Sequence, residues 1–363
     1  MHLGHIQGGI LTDTLRTLFQ NKFGNAGRGL VFPYNLIGTN GSTDFKSYSS
    51  SRLSHESLLH NTNKEFSSIG ISGYSIGSKD SSAQLYLNPK FEYDSVRFYG
   101  LGHFAHSNVH IIPIQTFRTI RVKILKKENL TRISKRLKIN KNELTRLNPK
   151  LNKIKFKPGK TISIKVKEYG FKPINGKQND TLIQLLIKKN NLLHGIEFIN
   201  NTPGIRVSGI GVNGARLKLF NFHDTFFKEL KKINPDLIIL AFGTNESYSG
   251  VSAIEFCLQI SEFINKINNG TYKTSIIVAS PPLSLLKKGQ PNTYIAEYNQ
   301  CIKKDCNRNQ YAVFPLYDLL ENIGGIKALK QQKLISGDNV HYTRKGYAWI
   351  AQQLYSSLMK YHK

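Results

Sequence analysis

Acidic residues are scarce in this chain of 363 residues. Its 23 aspartates and glutamates face 51 lysines and arginines, for a formal net charge of +28. That balance argues against an acidic, solvating chain. It favours a polyanionic partner, whether nucleic acid, an acidic membrane surface or an anionic wall polymer. A Lys-, Asn- and Ile-rich composition also follows from an AT-rich coding sequence, which accounts for part of the charge. Cysteine is nearly absent: only Cys257, Cys301 and Cys306 occur. So small and odd a number speaks against a disulfide scaffold. The spacing of Cys301 and Cys306 is not that of metal ligands. Ordinary buried or free thiols are therefore expected, with no metal and no cofactor. No run approaches the roughly 18 apolar residues that span a membrane. No export signal is visible either, because a motif begins directly after Met1. Hydrophobic residues are not lacking. At 39%, with 10% aromatics, they give a globular protein with length for two or three domains.

The texture changes several times along the chain. Residues 10–23, "ILTDTLRTLFQNKF", repeat apolar side chains at helical spacing, and the glycines of "GNAGRG" end that helix. From 31 to 120 Gly and Ser are frequent. Alternating runs such as "SAQLYLN" and "YDSVRFYG" predict strands and no long helix. Residues 121–167 hold seventeen lysines and arginines against Glu128 and Glu143, a net of +15 and over half of the total excess. Their pattern is strand, helix, helix, turn and strand. Residues 168–206 return to strand and turn. Beyond Gly209 continuous apolar runs, "PDLIILAFG" and "TSIIVASPP", alternate with helical stretches, and "RKGYAWIAQQLYSSLMKY" closes as a helix. Apolar strands alternating with helices predict a parallel sheet covered on both faces.

Three segments fall where such a fold would place chemistry. "LAFGTNES" puts Asn245 at the carboxyl end of a strand, the ligand edge of an open α/β sheet. "SGDNVHYTRKGY" pairs Asp338 with His341 just before the last helix. An aspartate three residues ahead of a histidine can turn back to accept the Nδ1–H of the imidazole and leave Nε2 as a base. "GIGVNGARL" supplies Gly214 in a turn where bare backbone can approach a ligand. Alone, each also suits a cap, a surface pair or a tight turn. Their order is what carries weight.

That order resembles the SGNH/GDSL hydrolase family. The resemblance implies a flavodoxin-like three-layer α/β domain with a parallel sheet. Asp338 and His341 would match the terminal D-x-x-H block, and Asn245 the G-x-N block as an oxyanion-hole side chain. Gly214 would match the glycine block as an oxyanion backbone donor. Such donors are typically worth about 3–4 kcal/mol each in the transition state. Glu246 departs from the aspartate usual after the asparagine. The first block departs more. The family begins Gly-Asp-Ser, whereas "MHLGHIQGG" runs from Gly4 straight to His5. Either Gly4 replaces the nucleophilic serine, or Asp and Ser are deleted between Gly4 and His5. Keeping Leu3-Gly4 and His5-Ile6-Gln7 both in register favours the deletion. No hydroxyl nearby substitutes, since Thr12 lies inside the predicted helix, and His5 is expected to contact ligand rather than attack it. Only Met1 to Leu3 precede the block, so the expectation is a chain whose first strand and export signal are missing.

Two further resemblances cover the middle of the chain. "ENLTRISKRLKINKNELTRLNPKLNKIKFKPGKTISI" is similar to a LysM domain, a βααβ unit that binds N-acetylglucosamine-containing glycans. Leu130, Ile133, Ile139, Leu144, Asn148-Pro149, Pro158-Gly159-Lys160, Ile162 and Ile164 carry the match, with Glu128-Asn129 where Gly-Asp is usual. A basic helical hairpin without a glycan site is the plainer reading of the same residues. The flanking β-rich stretches are similar in placement to the carbohydrate-binding insert of bacterial peptidoglycan O-acetylesterases, with "GNAGRGLVFPY", "GISGYSIG" and "GIGVNGAR" in common texture.

The expected organisation is a discontinuous hydrolase domain (1–30 and 207–363). It is interrupted by a β-sandwich-like module (31–120 and 168–206), which carries the LysM-like unit (121–167) in turn. The expected function is an esterase of the bacterial cell wall that removes O-acetyl groups from peptidoglycan or a related glycan, inactive as written because the serine is absent. A glycan-binding pseudoenzyme is the alternative. A nucleic-acid binder is a remote third, since the charge is concentrated in one segment and no nucleic-acid motif accompanies it. The resemblance implies a periplasmic or otherwise extracytoplasmic location.

Overall fold

A computed structural model describes residues 8–59, 69–102, 104, 108–113, 116–137, 139–168, 181–268 and 274–360. The chain divides into two compact units, one made of 1–110 with 183–363 and one of 111–182.

The first unit opens with α1 (Ile10–Phe23) and continues through β1 (Gly29–Val31), β2 (Phe45–Tyr48), β3 (Leu53–Ser57), β4 (Tyr74–Ser78), β5 (Ser82–Pro89) and β6 (Ser95–Leu101). In β7 (Val109–Pro113) the chain passes to the second unit. There β8 (Thr116–Lys123), α2 (Leu130–Arg136), α3 (Lys141–Leu147) and β9 (Thr161–Glu168) follow. The first unit resumes with β10 (Thr181–Lys188) and β11 (Leu192–Ile199). After them come α4 (Leu217–Asn221), α5 (Asp224–Ile233), β12 (Leu237–Leu240), α6 (Thr244–Tyr248), α7 (Ala253–Asn268), β13 (Ser275–Ala279), α8 (Thr293–Asp305), β14 (Ala312–Phe314), α9 (Leu316–Asn322), α10 (Gly325–Gln331) and α11 (Arg344–Met359).

Strands β12, β13 and β14 pair in that order, all parallel, with Leu240 opposite Val278 and Ala279 opposite Phe314. Side chains of a strand alternate between faces, and the two faces of this sheet bury different partners. Leu240, Phe242, Ile276 and Val278 join Phe256, Ile260 and Phe263 of α7 and Tyr298 and Ile302 of α8. Ala241, Ala279 and Phe314 join Leu11 and Leu15 of α1 and Ile350 and Leu354 of α11. Each large side chain so buried contributes about 1.5–3 kcal/mol. Helices on both faces explain why these strands read as unbroken apolar runs rather than as alternation.

The β-rich part of the same unit is antiparallel. Strand β11 is central to one sheet and pairs with β1, β4 and β6. In the other, β5 lies between β2 and β10. Ile76, Leu193, Ile196 and Phe198 of the first sheet and Phe45, Leu85, Leu87, Leu185 and Ile187 of the second share one core. The Phe45 and Phe198 rings meet edge to face at 5.9 Å. That core continues into the α/β half through Val212, Ala215, Leu217 and Phe220. A buried ionic network adds to it: Arg16 bonds Asp13 at 2.8 Å and Arg28 bonds Asp44 at 2.7 Å, with both guanidinium side chains under a tenth exposed.

The second unit is a β-α-α-β arrangement. Strands β8 and β9 pair antiparallel, and Val122, Ile124, Leu130, Ile133, Leu144, Leu151, Ile162 and Ile164 form its core. Asn129 caps α2, its side chain accepting the N–H of Arg132. Asn148 ties the helical part to β9: its amide donates to the carbonyls of Leu144 and Lys165 and accepts the N–H of Lys165.

One expectation is corrected. Cys257 and Cys301 are not separate thiols but a bonded pair joining α7 to α8, and Cys306 alone is free. The two are 44 residues apart in sequence yet 6.5 Å apart at Cα, because α7 and α8 pack side by side on one face of the sheet. Spacing along the chain carries no sign of that. No described helix is long and apolar enough to cross a membrane.

Candidate active site

The loop that carries Asp338 and His341 is pinched at its neck. Ile335 and Tyr342 form an antiparallel bridge, and Ser336 N–H bonds the His341 carbonyl at 2.7 Å. Thr343 then caps α11 by accepting the N–H of Gly346. Gly346 cannot be larger, since a Cβ there would lie 2.0 Å from the Leu334 carbonyl oxygen. Within the loop Asn339 takes a left-handed φ of 58°, a conformation asparagine tolerates better than most residues.

That turn brings the Asp338 carboxylate onto its own loop. Oδ1 accepts from the Ser336 hydroxyl at 2.6 Å and from the N–H groups of Val340 and His341, both at 2.9 Å. Oδ2 holds His341 Nδ1. Partial burial pushes the Asp338 pKa up. The His341 ring, the Ser336 hydroxyl and the two N–H groups outweigh it and hold the carboxyl well below the usual carboxylate range. With Nδ1 donating to Asp338, the neutral imidazole carries its lone pair on Nε2, the arrangement of a general base. About half of Asp338 and a third of His341 are exposed.

Asn245 lies in α6, the short helix that begins where β12 ends. Gly243, at a φ of 114°, makes the corner. The Asn245 amide donates to the Ala215 carbonyl at 2.7 Å. An amide nitrogen has two N–H groups, and among the described residues the Ala215 carbonyl takes one of them. Gly214 precedes Ala215 in a turn at a φ of 78°. The neighbouring Glu246 is buried and fastens the same two segments: its carboxylate accepts the Leu217 N–H at 2.7 Å and the Gly243 N–H at 2.8 Å. Burial raises the Glu246 pKa against those two bonds. The departure from aspartate is thus a longer arm that spans from the strand end to the Gly214 turn.

A strap after β13, residues 280–292, joins these parts. Tyr248, at the end of α6, donates its hydroxyl to the Leu285 carbonyl. Leu285 N–H bonds the Asn339 carbonyl at 2.9 Å, and the Tyr342 hydroxyl bonds the Leu283 carbonyl at 3.0 Å. Asn292 donates to Ser247 and Ser284. Partial burial and the charge of Asp338 both raise the Tyr248 pKa. Asp338 and His341 are in contact, Asn245 and the Gly214 turn are in contact, and the strap and Tyr248 link one pair to the other. Ser336, Tyr248 and the strap were not singled out from sequence. Ser336 alone had a signal, two residues before the aspartate. Gly4 and His5 lie outside the described residues. Thr12 is buried, with its hydroxyl donated to the Gly9 carbonyl at 3.1 Å. A second cluster, Cys257, Cys301 and Asp305, has metal-ligand chemistry, but its two sulfurs are bonded to each other.

The chain is similar over 98% of its length to the solved structure of a peptidoglycan O-acetylesterase, 88% of which it covers, at 18% identity and a TM-score of 0.66. It is also similar to a lipase/acylhydrolase from Enterococcus faecalis (17% identity, 43% of this chain and 76% of that one, TM-score 0.35). An acetyl xylan esterase matches at 18% identity over 42% of this chain and 80% of that one, with a TM-score of 0.35. No curated protein matches. The first similarity is one of fold. In sequence, residues 176–349, which hold the Gly214 turn, Asn245, Asp338 and His341, match the GDSL-like lipase/acylhydrolase family.

Proposed function

We propose that this chain has the plan of a cell-wall esterase acting on O-acetylated peptidoglycan or a related glycan, and that as written it lacks the serine nucleophile. The observation that carries the reading is the Asp338–His341 pair, linked through the strap to Asn245 and the Gly214 turn. In such a reaction a serine hydroxyl attacks the acetyl carbonyl and His341 Nε2 takes its proton. Asp338 orients the ring and stabilises its positive charge. Asn245 Nδ2 and the Gly214 N–H receive the charge that develops on the carbonyl oxygen. His5 contacts the ligand near the missing nucleophile.

The division into a hydrolase domain (1–30 and 207–363), a β-rich carbohydrate-binding-like module (31–120 and 168–206) and a LysM-like unit (121–167) belongs to the same proposal. The β-α-α-β order and the Asn148 clamp of the second unit support its last part. The location that suits this substrate is extracytoplasmic. The alternative is a glycan-binding pseudoenzyme, which the absence of a serine before Ser42 favours.

Hydrolysis of an aryl acetate tests the reading. The written chain should show no serine-dependent turnover, because loss of that one group removes most of the rate enhancement of a catalytic triad. Insertion of Asp-Ser after Gly4, in a chain extended at its start to supply the first strand, should return activity, which His341→Ala then abolishes and Asn245→Ala lowers. Turnover by the written chain at an ordinary esterase rate, still dependent on His341, would refute the assignment of the missing nucleophile.

A further inference from the structure

An aromatic side chain stands at the candidate site without being needed for the core. Tyr248 is 38% exposed, although it closes a helix, α6, whose neighbour α8 holds the fully buried Tyr298. It lies three residues beyond Asn245, about one helical turn, so the two share a side of α6. Its hydroxyl is anchored on Leu285, whose own N–H bonds the loop of Asp338 and His341. The hydroxyl is therefore held while the residue stays partly exposed, on the helix that carries Asn245 and one strap bond away from the loop of Asp338 and His341. A core residue has no use for that exposure, and a purely structural strap anchor needs only the hydroxyl. A flat apolar surface with a tethered polar tip suits a ligand that is apolar on one face and polar at its rim. A pyranose ring has that character: its axial C–H groups make one face apolar, and its hydroxyls and acetamido group lie at the edge.

Resting on the glycan reading above, we propose that Tyr248 is the platform on which one sugar ring of the substrate stacks, and that this stacking selects which sugar presents its ester to His341. The residue positions substrate and takes no part in bond making or breaking.

Hydrogen exchange on the full-length chain tests this without requiring a nucleophile. The probe is a soluble tetrasaccharide of alternating N-acetylglucosamine and N-acetylmuramic acid. In the parent it should slow exchange of amides 244–249 and 283–286. Tyr248→Ala should raise the tetrasaccharide concentration for half-protection there at least tenfold, while protection within 121–167 is unchanged. Tyr248→Phe and Tyr248→Trp, which keep a ring, should shift it less than threefold. Unchanged exchange of strand β13 in every variant reports an intact fold. Protection at 244–249 that survives Tyr248→Ala overturns the platform and leaves the glycan reading standing. A parent that shows no protection at 244–249 or 283–286 overturns both.

Discussion

Removing Glu246 should uncouple the two segments of the candidate oxyanion hole, and the structure gives the size of the effect. The side chain is 1% exposed, and each carboxylate oxygen accepts one backbone N–H, from Leu217 and from Gly243. Glu246→Ala leaves both donors buried and unpartnered, at about 1–3 kcal/mol each, so the expected loss is about 2–6 kcal/mol. At about 2 °C per kcal/mol for a large domain, Tm should fall by about 4–12 °C. Glu246→Gln keeps one acceptor but turns an amide N–H toward the other donor, and should cost about 1–3 kcal/mol. Glu246→Asp should resemble it. The shorter arm can still reach Gly243, three residues away, but not Leu217. Burial raises the Glu246 pKa in the folded state, so the folded protein binds this proton more readily than the unfolded chain. The group's contribution is then fullest below the ordinary glutamate value of about 4.3 and declines as pH rises through the raised one. The advantage of the parent over Glu246→Gln should narrow over that interval. Urea titrations of the three variants and the parent at several pH values measure all of this. A Glu246→Ala protein within about 0.5 kcal/mol of the parent refutes the clamp, and a lead of the parent over Glu246→Gln that widens with pH refutes the raised pKa.

Two further outcomes follow from the same geometry. Asp338→Asn should cost no more than about 1 kcal/mol near neutrality, because the pair is half exposed and screened. Since the Asp338 pKa is depressed in the fold, that advantage is present above the ordinary aspartate value of about 3.9 and should vanish as pH falls below it; a parent whose lead over Asp338→Asn grows in acid contradicts the assignment. For the cysteines, alkylation of the air-oxidised native protein should label one thiol per chain, and three after reduction and unfolding. Closing a loop across the 44-residue separation is worth about 4 kcal/mol in the chain-entropy account, so reduction should lower stability by about that much. Three labels without reductant would break the Cys257–Cys301 pairing.

What was legible in the sequence was whatever depends on near neighbours. The apolar runs at 237–242 and 275–279 read as buried parallel strands because a strand covered by helices on both faces has no polar side to show. Leu240 and Ala241 face different helices, yet both are buried. The Asp338–His341 contact was legible for a related reason: it closes within three residues, and Ser336, Val340 and the Asn339 turn complete it inside the same loop. The contacts that assemble the site behave differently. Glu246 reaches back 29 residues to Leu217, Tyr248 forward 37 to Leu285, and Tyr342 back 59 to Leu283. None of these residue types is unusual at its position, and only the packing of α6, the strap and the last loop against one another selects the partners. The Cys257–Cys301 bond is the same case, since two helices on one face of a sheet bring together residues that spacing keeps apart. Glu246 shows how far this goes. As a letter beside Asn245 it reads as a tolerated change from aspartate. In the fold its carboxylate holds both Gly243 at the strand end and Leu217 beyond the Gly214 turn, beside the Asn245–Ala215 bond that joins the same two segments.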